Sequence, residues 1–144
     1  MQPIQDIYSH LSKPSIIVIT MHQKPDADAM GSALGLYHFL LQGGHTVSVI
    51  SPTNWAAFLN WMPACNTALD YERDTEKADA LVQAAEFIFC LDFNVLSRTK
   101  KMEAVLSNAT GKRVLIDHHQ EPQVDKFSFG ISNTEKSSTA EMVY

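Results

Sequence analysis

The chain has 144 residues, 45% of them hydrophobic and 19% charged, enough apolar content for one cored domain and too much for a disordered chain. Sixteen acidic against eleven basic residues leave a formal charge of −5. That balance argues against a broad basic face tracking long nucleic acid, but not against a small phosphorylated ligand held through a cation. The apolar runs Ile16–Ile19 and Phe87–Leu91 are too short to cross a bilayer, and Met1–Asp6 has neither the basic start nor the apolar stretch of a secretory signal. A soluble, cytoplasmic single domain is the expectation.

In chain order, Pro3–Leu11 carries Ile4, Ile7 and Leu11 on one stripe and predicts a short helix. Ser15–Thr20 is nearly continuous and β-branched, as in a strand buried on both faces. Ala29–Gln42 predicts a helix that Gly43-Gly44 stops, and Thr46–Ile50 a second strand closed by Pro52. One or two helical turns are expected over Asn54–Trp61, ended by Pro63, then a helix over Thr75–Ala85 and a strand over Glu86–Asp92. A helix over Val95–Ser107, a strand over Lys112–Asp117, a weaker strand over Phe127–Ile131 and a helix opening at Ser138 complete the pattern. Ser138 and Glu141 fit a capping box. Such alternation favours an α/β fold, an open parallel, Rossmann-like sheet with helices on both faces.

Metal-ligand residue types fall at three strand ends. His22, Asp26 and Asp28 follow the first strand, Asp92 ends another, and Asp117, His118 and His119 end a third. The carboxyl ends of parallel strands share one edge, so segments far apart in sequence deliver Asp and His to one rim. Carboxylates gathered there repel one another unless cations lie among them. Mixed His and Asp ligation suits Mn²⁺, Zn²⁺, Fe²⁺ or Co²⁺, with Mg²⁺ binding less strongly. Asp26 and Asp28 point to different sides if the backbone between them is extended. Each segment has a plain structural reading too: an acidic helix cap, a capped strand end, a packed histidine. Three independent strand ends carrying ligand types favour the metal site.

At these residues the sequence resembles the DHH phosphoesterase family. The motif His-x-x-Pro-Asp-x-Asp-Ala-x-Gly-Ser stands as His22 to Ser32, the second motif is Leu91-Asp92, the third is Asp117-His118-His119, and Ser137–Glu141 looks like a Ser-Ser-Thr-x-Glu stretch. The Gly31-Ser32 ending looks like the oligoribonuclease (nanoRNase) and 3′-phosphoadenosine-5′-phosphate phosphatase branch. The resemblance implies a DHH domain with two divalent metal ions, Mn²⁺ foremost and Mg²⁺ or Co²⁺ as alternatives. His22 and Asp26 would hold one, Asp28 and His118 the other, and Asp92 would bridge them. It further implies that His119 contacts the scissile phosphate and that Asp117 orients the neighbouring imidazoles. The implied reaction is hydrolysis of phosphate esters in short oligoribonucleotides or 3′-phosphoadenosine-5′-phosphate by hydroxide that two metals activate.

Cyclic or linear dinucleotide phosphodiesterase is an alternative, then inorganic pyrophosphatase or exopolyphosphatase; a non-catalytic nucleotide-binding domain is the rival from another class. Ser32, Lys24 and Arg98 are further candidates for substrate contact. The expected partner is a small phosphorylated substrate, short RNA or a nucleotide, with no long nucleic acid and no membrane; a homodimer is left open. Members of this branch carry a downstream metal-binding aspartate and a second, substrate-clamping domain. Residues 1–144 are therefore expected to be an N-terminal catalytic domain, apparently truncated, that binds metal weakly and turns over little substrate. His10, His38 and His45 are expected at the surface or in packing, Cys90 as a small buried hydrophobe, and Trp55, Phe58, Leu59 and Trp61 as an apolar packing cluster.

Overall fold

The computed structural model describes residues 1–144. Seven parallel strands form one sheet: β1 (Gln2–Pro3), β2 (Ile16–Thr20), β3 (Thr46–Ser51), β4 (Leu69–Asp70), β5 (Phe87–Leu91), β6 (Lys112–Asp117) and β7 (Phe129–Ser132), in the spatial order β1-β7-β6-β5-β2-β3-β4. Four α-helices accompany them: α1 (Ala27–Gln42), α2 (Thr75–Ala84), α3 (Glu103–Asn108) and α4 (Thr139–Val143). The alternation of side chains along each strand sorts the core into two layers. Ile17, Ile19, Phe87, Phe89, Leu91, Val114 and Ile116 pack with α1 residues such as Met30 and Leu34 on one face. Val18, Ile88, Cys90 and Leu115 pack with Ala78 and Val82 of α2 and Leu106 of α3 on the other. The expected α/β sheet with helices on both faces is therefore the observed one.

Several local expectations change. Pro3–Leu11 is two 3₁₀ turns, Ile4–Ile7 and His10–Ser12, preceded by β1, which pairs Gln2 and Pro3 with Phe129 and Gly130. Val95–Ser107 is not one helix: a 3₁₀ segment over Leu96–Met102 breaks at Lys100 (φ 52°) before α3 begins. Of the aromatic cluster, Leu59 is buried and Trp55 half-buried, but Phe58 and Trp61 are 71% and 76% exposed. Cys90 is buried, and His45 is packed with its Nδ1 accepting the Ser15 amide, whereas His10 and His38 are exposed. No helix is long and apolar enough to cross a membrane.

Candidate metal centre

β2 and β5 are neighbours, but the chain leaves them in opposite lateral directions: after β2 it moves to β3 and β4, and after β5 to β6 and β7. A crevice opens at the carboxyl ends of such a strand pair. His22 stands just beyond β2, Asp92 directly follows β5, and Asp117-His118-His119 ends β6. The loops behind these residues are cross-linked. Gln23 N donates to Arg98 O at 2.9 Å, Lys24 N to Thr53 Oγ1 at 2.7 Å, and Asn94 Nδ2 to Gln120 O at 2.6 Å. Lys24 (φ 46°) and Asp92 (φ 62°) both adopt left-handed backbone. Left-handed backbone at two non-glycine residues of one rim is typical of a functional site, and at Lys24 it costs about 1–2 kcal/mol.

Asp92 divides its carboxylate between two histidines. Its Oδ2 lies 3.4 Å from His22 Nε2 and its Oδ1 3.3 Å from His118 Nε2. Asp26 Oδ1 stands 3.8 Å from the same His22 nitrogen, and Asp28 Oδ2 3.8 Å from the same His118 nitrogen. In both rings the other nitrogen meets a backbone carbonyl, His22 Nδ1 with Gln23 O at 2.7 Å and His118 Nδ1 with Lys136 O at 3.3 Å. A carbonyl only accepts, so each Nδ1 carries the hydrogen and each Nε2 turns its lone pair toward carboxylates.

A lone pair facing a carboxylate needs a positive charge between them. At His22 a proton can supply it. Burial lowers that imidazole's pKa, yet Asp92 and the Gln23 carbonyl outweigh the burial and hold it above the ordinary value. Burial would raise Asp92, and its contacts with His22 and Thr139 hold it below the usual carboxylate range instead. A divalent cation supplies the charge on both sides at once. Two ligands about 2.1 Å from one ion, at roughly right angles, stand about 3 Å apart. Two candidate clusters share Asp92: His22 with Asp26, and His118 with His119, the ligand atoms of each lying within 4.8 Å of one another. The donor set fits a pair of borderline or hard divalent cations.

His119 differs from its neighbour. Its Nδ1 lies 2.6 Å from Asp117 Oδ1, and its backbone amide donates to Asp117 Oδ2 at 3.1 Å. Arg98 Nη1 approaches His119 Nε2 at 3.4 Å. A guanidinium only donates, so Nε2 accepts and Nδ1 carries the hydrogen. Asp117 thus orients His119 alone; His118 is held by Lys136 O.

The backbone is extended at Asp26 and helical from Ala27, so strand-like alternation does not run through to Asp28. Asp26 is the N-cap of α1, its Oδ1 accepting from Ala29 N at 2.9 Å, and Asp28 lies in the helix's first turn. Cap and first turn, rather than strand-like alternation, send the two carboxylates apart. Ser32 is buried and donates to Asp28 Oδ1 at 3.4 Å, so it stands behind that carboxylate. Lys24 lies in the loop between the two ligand-type residues His22 and Asp26.

Sequence reasoning places Thr139 in the Ser137–Glu141 stretch but gives it no role. Its hydroxyl donates to Asp92 Oδ1 at 2.9 Å and its amide to Asp28 Oδ2 at 3.0 Å, while Ala140 N donates to Asp28 Oδ1 at 2.9 Å. The Ser138–Glu141 capping signal marks the helix start correctly, with Glu141 N donating to Ser138 Oγ at 3.2 Å. The Glu141 carboxylate turns to Ser137 and Lys136 rather than closing the box on Ser138. Nothing in that signal announces a contact with a carboxylate 47 residues upstream.

Comparison with known proteins agrees with this geometry. The chain superposes with a TM-score of 0.95, at 42% sequence identity, on the crystal structure of an exopolyphosphatase-related protein from Bacteroides fragilis. The match covers 98% of this chain and 41% of that one. No curated protein sequence matches the chain. Residues 16–144 match the model of the DHH family, N-terminal domain, a span that contains every ligand-type residue gathered around Asp92. With fold, strand-end motifs and this match in agreement, the chain belongs to the DHH family.

Proposed function

We propose that the domain hydrolyses phosphoric ester or anhydride bonds with a pair of divalent cations, Mn²⁺ foremost. His22 and Asp26 would hold one cation and His118 and Asp28 the other, with Asp92 shared between the two sides. The observation that carries this reading is the division of Asp92: each oxygen faces a different imidazole whose other nitrogen is anchored on a backbone carbonyl. Anchored imidazoles of this kind are the usual surroundings of metal-ligating histidine. Bound there, the cations supply a lowered water pKa and neutralise charge on the leaving oxygen.

The chain's own groups do the rest. Asp117 fixes His119 in the tautomer whose Nε2 faces outward beside Arg98, and that pair contacts the phosphoryl group being cleaved. Lys24, on the loop pinned to Thr53, offers a second cation to substrate phosphates. Ser32 acts only through Asp28. The substrate is a small phosphorylated molecule. The name of the Bacteroides protein favours the exopolyphosphatase reading, a chain of phosphoanhydrides. The Gly31-Ser32 motif ending keeps short oligoribonucleotides and 3′-phosphoadenosine-5′-phosphate as the second reading. The family model's description as an N-terminal domain supports reading residues 1–144 as the catalytic N-terminal unit of an enzyme.

The test is hydrolysis with Mn²⁺ of four substrates side by side: polyphosphate, pyrophosphate, an RNA dinucleotide and 3′-phosphoadenosine-5′-phosphate. The protein is compared with a form extended to the length of its relatives. Release of phosphate from polyphosphate alone selects the first substrate reading, and nucleotide products alone select the second. No hydrolysis of any of them by the extended form refutes the enzyme reading in favour of a nucleotide-binding domain.

A further inference from the structure

Asp92 is the residue on which the two halves of the centre depend, and its geometry is not self-supporting. Its backbone is left-handed, and rotation about Cβ–Cγ would exchange its two oxygens. Four groups surround the carboxylate: His22 at Oδ2, and His118, His119 and Thr139 at Oδ1. Three are imidazoles, of which His22 and His118 present lone pairs and His119 has its Nδ1 hydrogen engaged by Asp117 at 2.6 Å. With His22 unprotonated, Thr139 is the one neighbour whose hydrogen points at Asp92. Its side chain is fully buried, so water does not compete for that hydrogen bond. The same residue's amide holds Asp28 Oδ2, the oxygen that faces His118.

We propose that Thr139 is a positioning residue that sets the His118 side of the centre, holding Asp92 Oδ1 with its hydroxyl and Asp28 Oδ2 with its amide. A carboxylate oxygen has two acceptor sites, so Oδ1 keeps one free for a cation while the hydroxyl occupies the other. The His22–Asp26 side receives nothing from Thr139. The consequence is asymmetric. Removing the hydroxyl weakens binding of one cation of the pair and leaves the other near its original strength. This inference rests on the two-cation reading above, and the experiment separates the two.

The experiment is calorimetric titration of Mn²⁺ into the wild-type chain, Thr139→Val and Thr139→Ser, with circular dichroism and thermal melting to establish that each is folded. Valine keeps the shape and loses the hydroxyl; serine keeps the hydroxyl and loses a methyl. The expected result is two binding events in wild type and in Thr139→Ser. In Thr139→Val one event is expected to weaken by about 10- to 100-fold, the size typical for loss of a group that orients a metal ligand. Two events of unchanged strength in Thr139→Val overturn the inference and leave the metal reading standing. Equal weakening of both events in Thr139→Val, or a loss in Thr139→Ser as large as in Thr139→Val, also overturns it in favour of plain packing. No Mn²⁺ uptake by the wild-type chain overturns the metal reading itself, and the inference falls with it.

Discussion

Asp117 grips His119 at two points, with Oδ1 2.6 Å from the ring Nδ1 and Oδ2 accepting the histidine's own backbone amide at 3.1 Å. The carboxylate is fully buried at the end of β6, so the bond is made in a low-dielectric setting and fixes both tautomer and ring orientation. Asp117→Asn removes the charge and leaves the side chain's shape. The variant is expected to remain folded and to lose about 10- to 100-fold in kcat/KM on whichever phosphate substrate the wild type cleaves. Steady-state kinetics with Mn²⁺, beside circular dichroism of the variant, check both expectations.

Asp92 invites a pair of substitutions that separate chemistry from backbone strain. Asn tolerates left-handed backbone at least as readily as Asp, whereas Ala at φ 62° costs about 1–2 kcal/mol. Asp92→Asn and Asp92→Ala should both abolish high-occupancy Mn²⁺ binding, since each removes the carboxylate shared by the two clusters. Only Asp92→Ala should add the strain penalty on top. Calorimetry reads the first effect, and urea unfolding of the metal-free proteins reads the second as a lower midpoint for Ala than for Asn.

The same residues show where sequence alone is sufficient. β2 and β5 are legible because a strand covered on both faces must be apolar throughout, and Ile17–Thr20 and Phe87–Leu91 are buried residue by residue. The rim is legible too, since ligand types at the ends of strands β2, β5 and β6 converge wherever those strands lie parallel and adjacent. β1 and β4 are two residues each and exist only because β7 and β3 offer them partners; no local pattern of that length carries information. The broken segment Leu96–Met102 reads as helix because its propensities are helical. There the tertiary demands win: Arg98 O accepts from Gln23 N and Leu96 N donates to Gln123 Oε1 at 3.1 Å. The contact of Thr139 with Asp92 is invisible for another reason. A threonine after two serines at a helix start is explained by capping, and its second partner arrives only through folding.

Two glycines give opposite predictions. A Cβ at Gly111 would stand 2.3 Å from the Ala85 carbonyl oxygen, and backbone cannot move aside as a flexible side chain can. Gly111→Ala should lower stability by about 1–3 kcal/mol. Gly35 is exposed within α1, and a Cβ there meets nothing within 4 Å. Gly35→Ala should raise stability by about 0.5–1 kcal/mol through helix propensity. Urea midpoints of the two variants against wild type decide both, and equal shifts in the same direction would contradict the packing described for the turn before β6.

Cys90 and Tyr71 make the fold sensitive to alkali. Burial pushes the Cys90 thiol up to about 12, against a small opposing pull from Arg113. Burial also pushes Tyr71 up to about 12, aided by its hydrogen bond to Asp79 Oδ1 at 2.7 Å and the charge of that carboxylate. In the unfolded chain the thiol ionises near about 8.5 and the phenol near about 10. Between those values and about 12 the folded state holds protons that the unfolded state has released. Stability from these groups is therefore complete below about pH 8.5 and declines as pH rises through the window. Urea midpoints measured at neutral pH and at successive alkaline steps should fall, and Tyr71→Phe should flatten the upper part of the decline. The same burial makes both thiols slow toward a disulfide reagent at mildly alkaline pH, Cys65 included, since its thiol is also raised by burial. Rapid labelling of Cys90 in the native protein would contradict its place in the layer between β5 and α2.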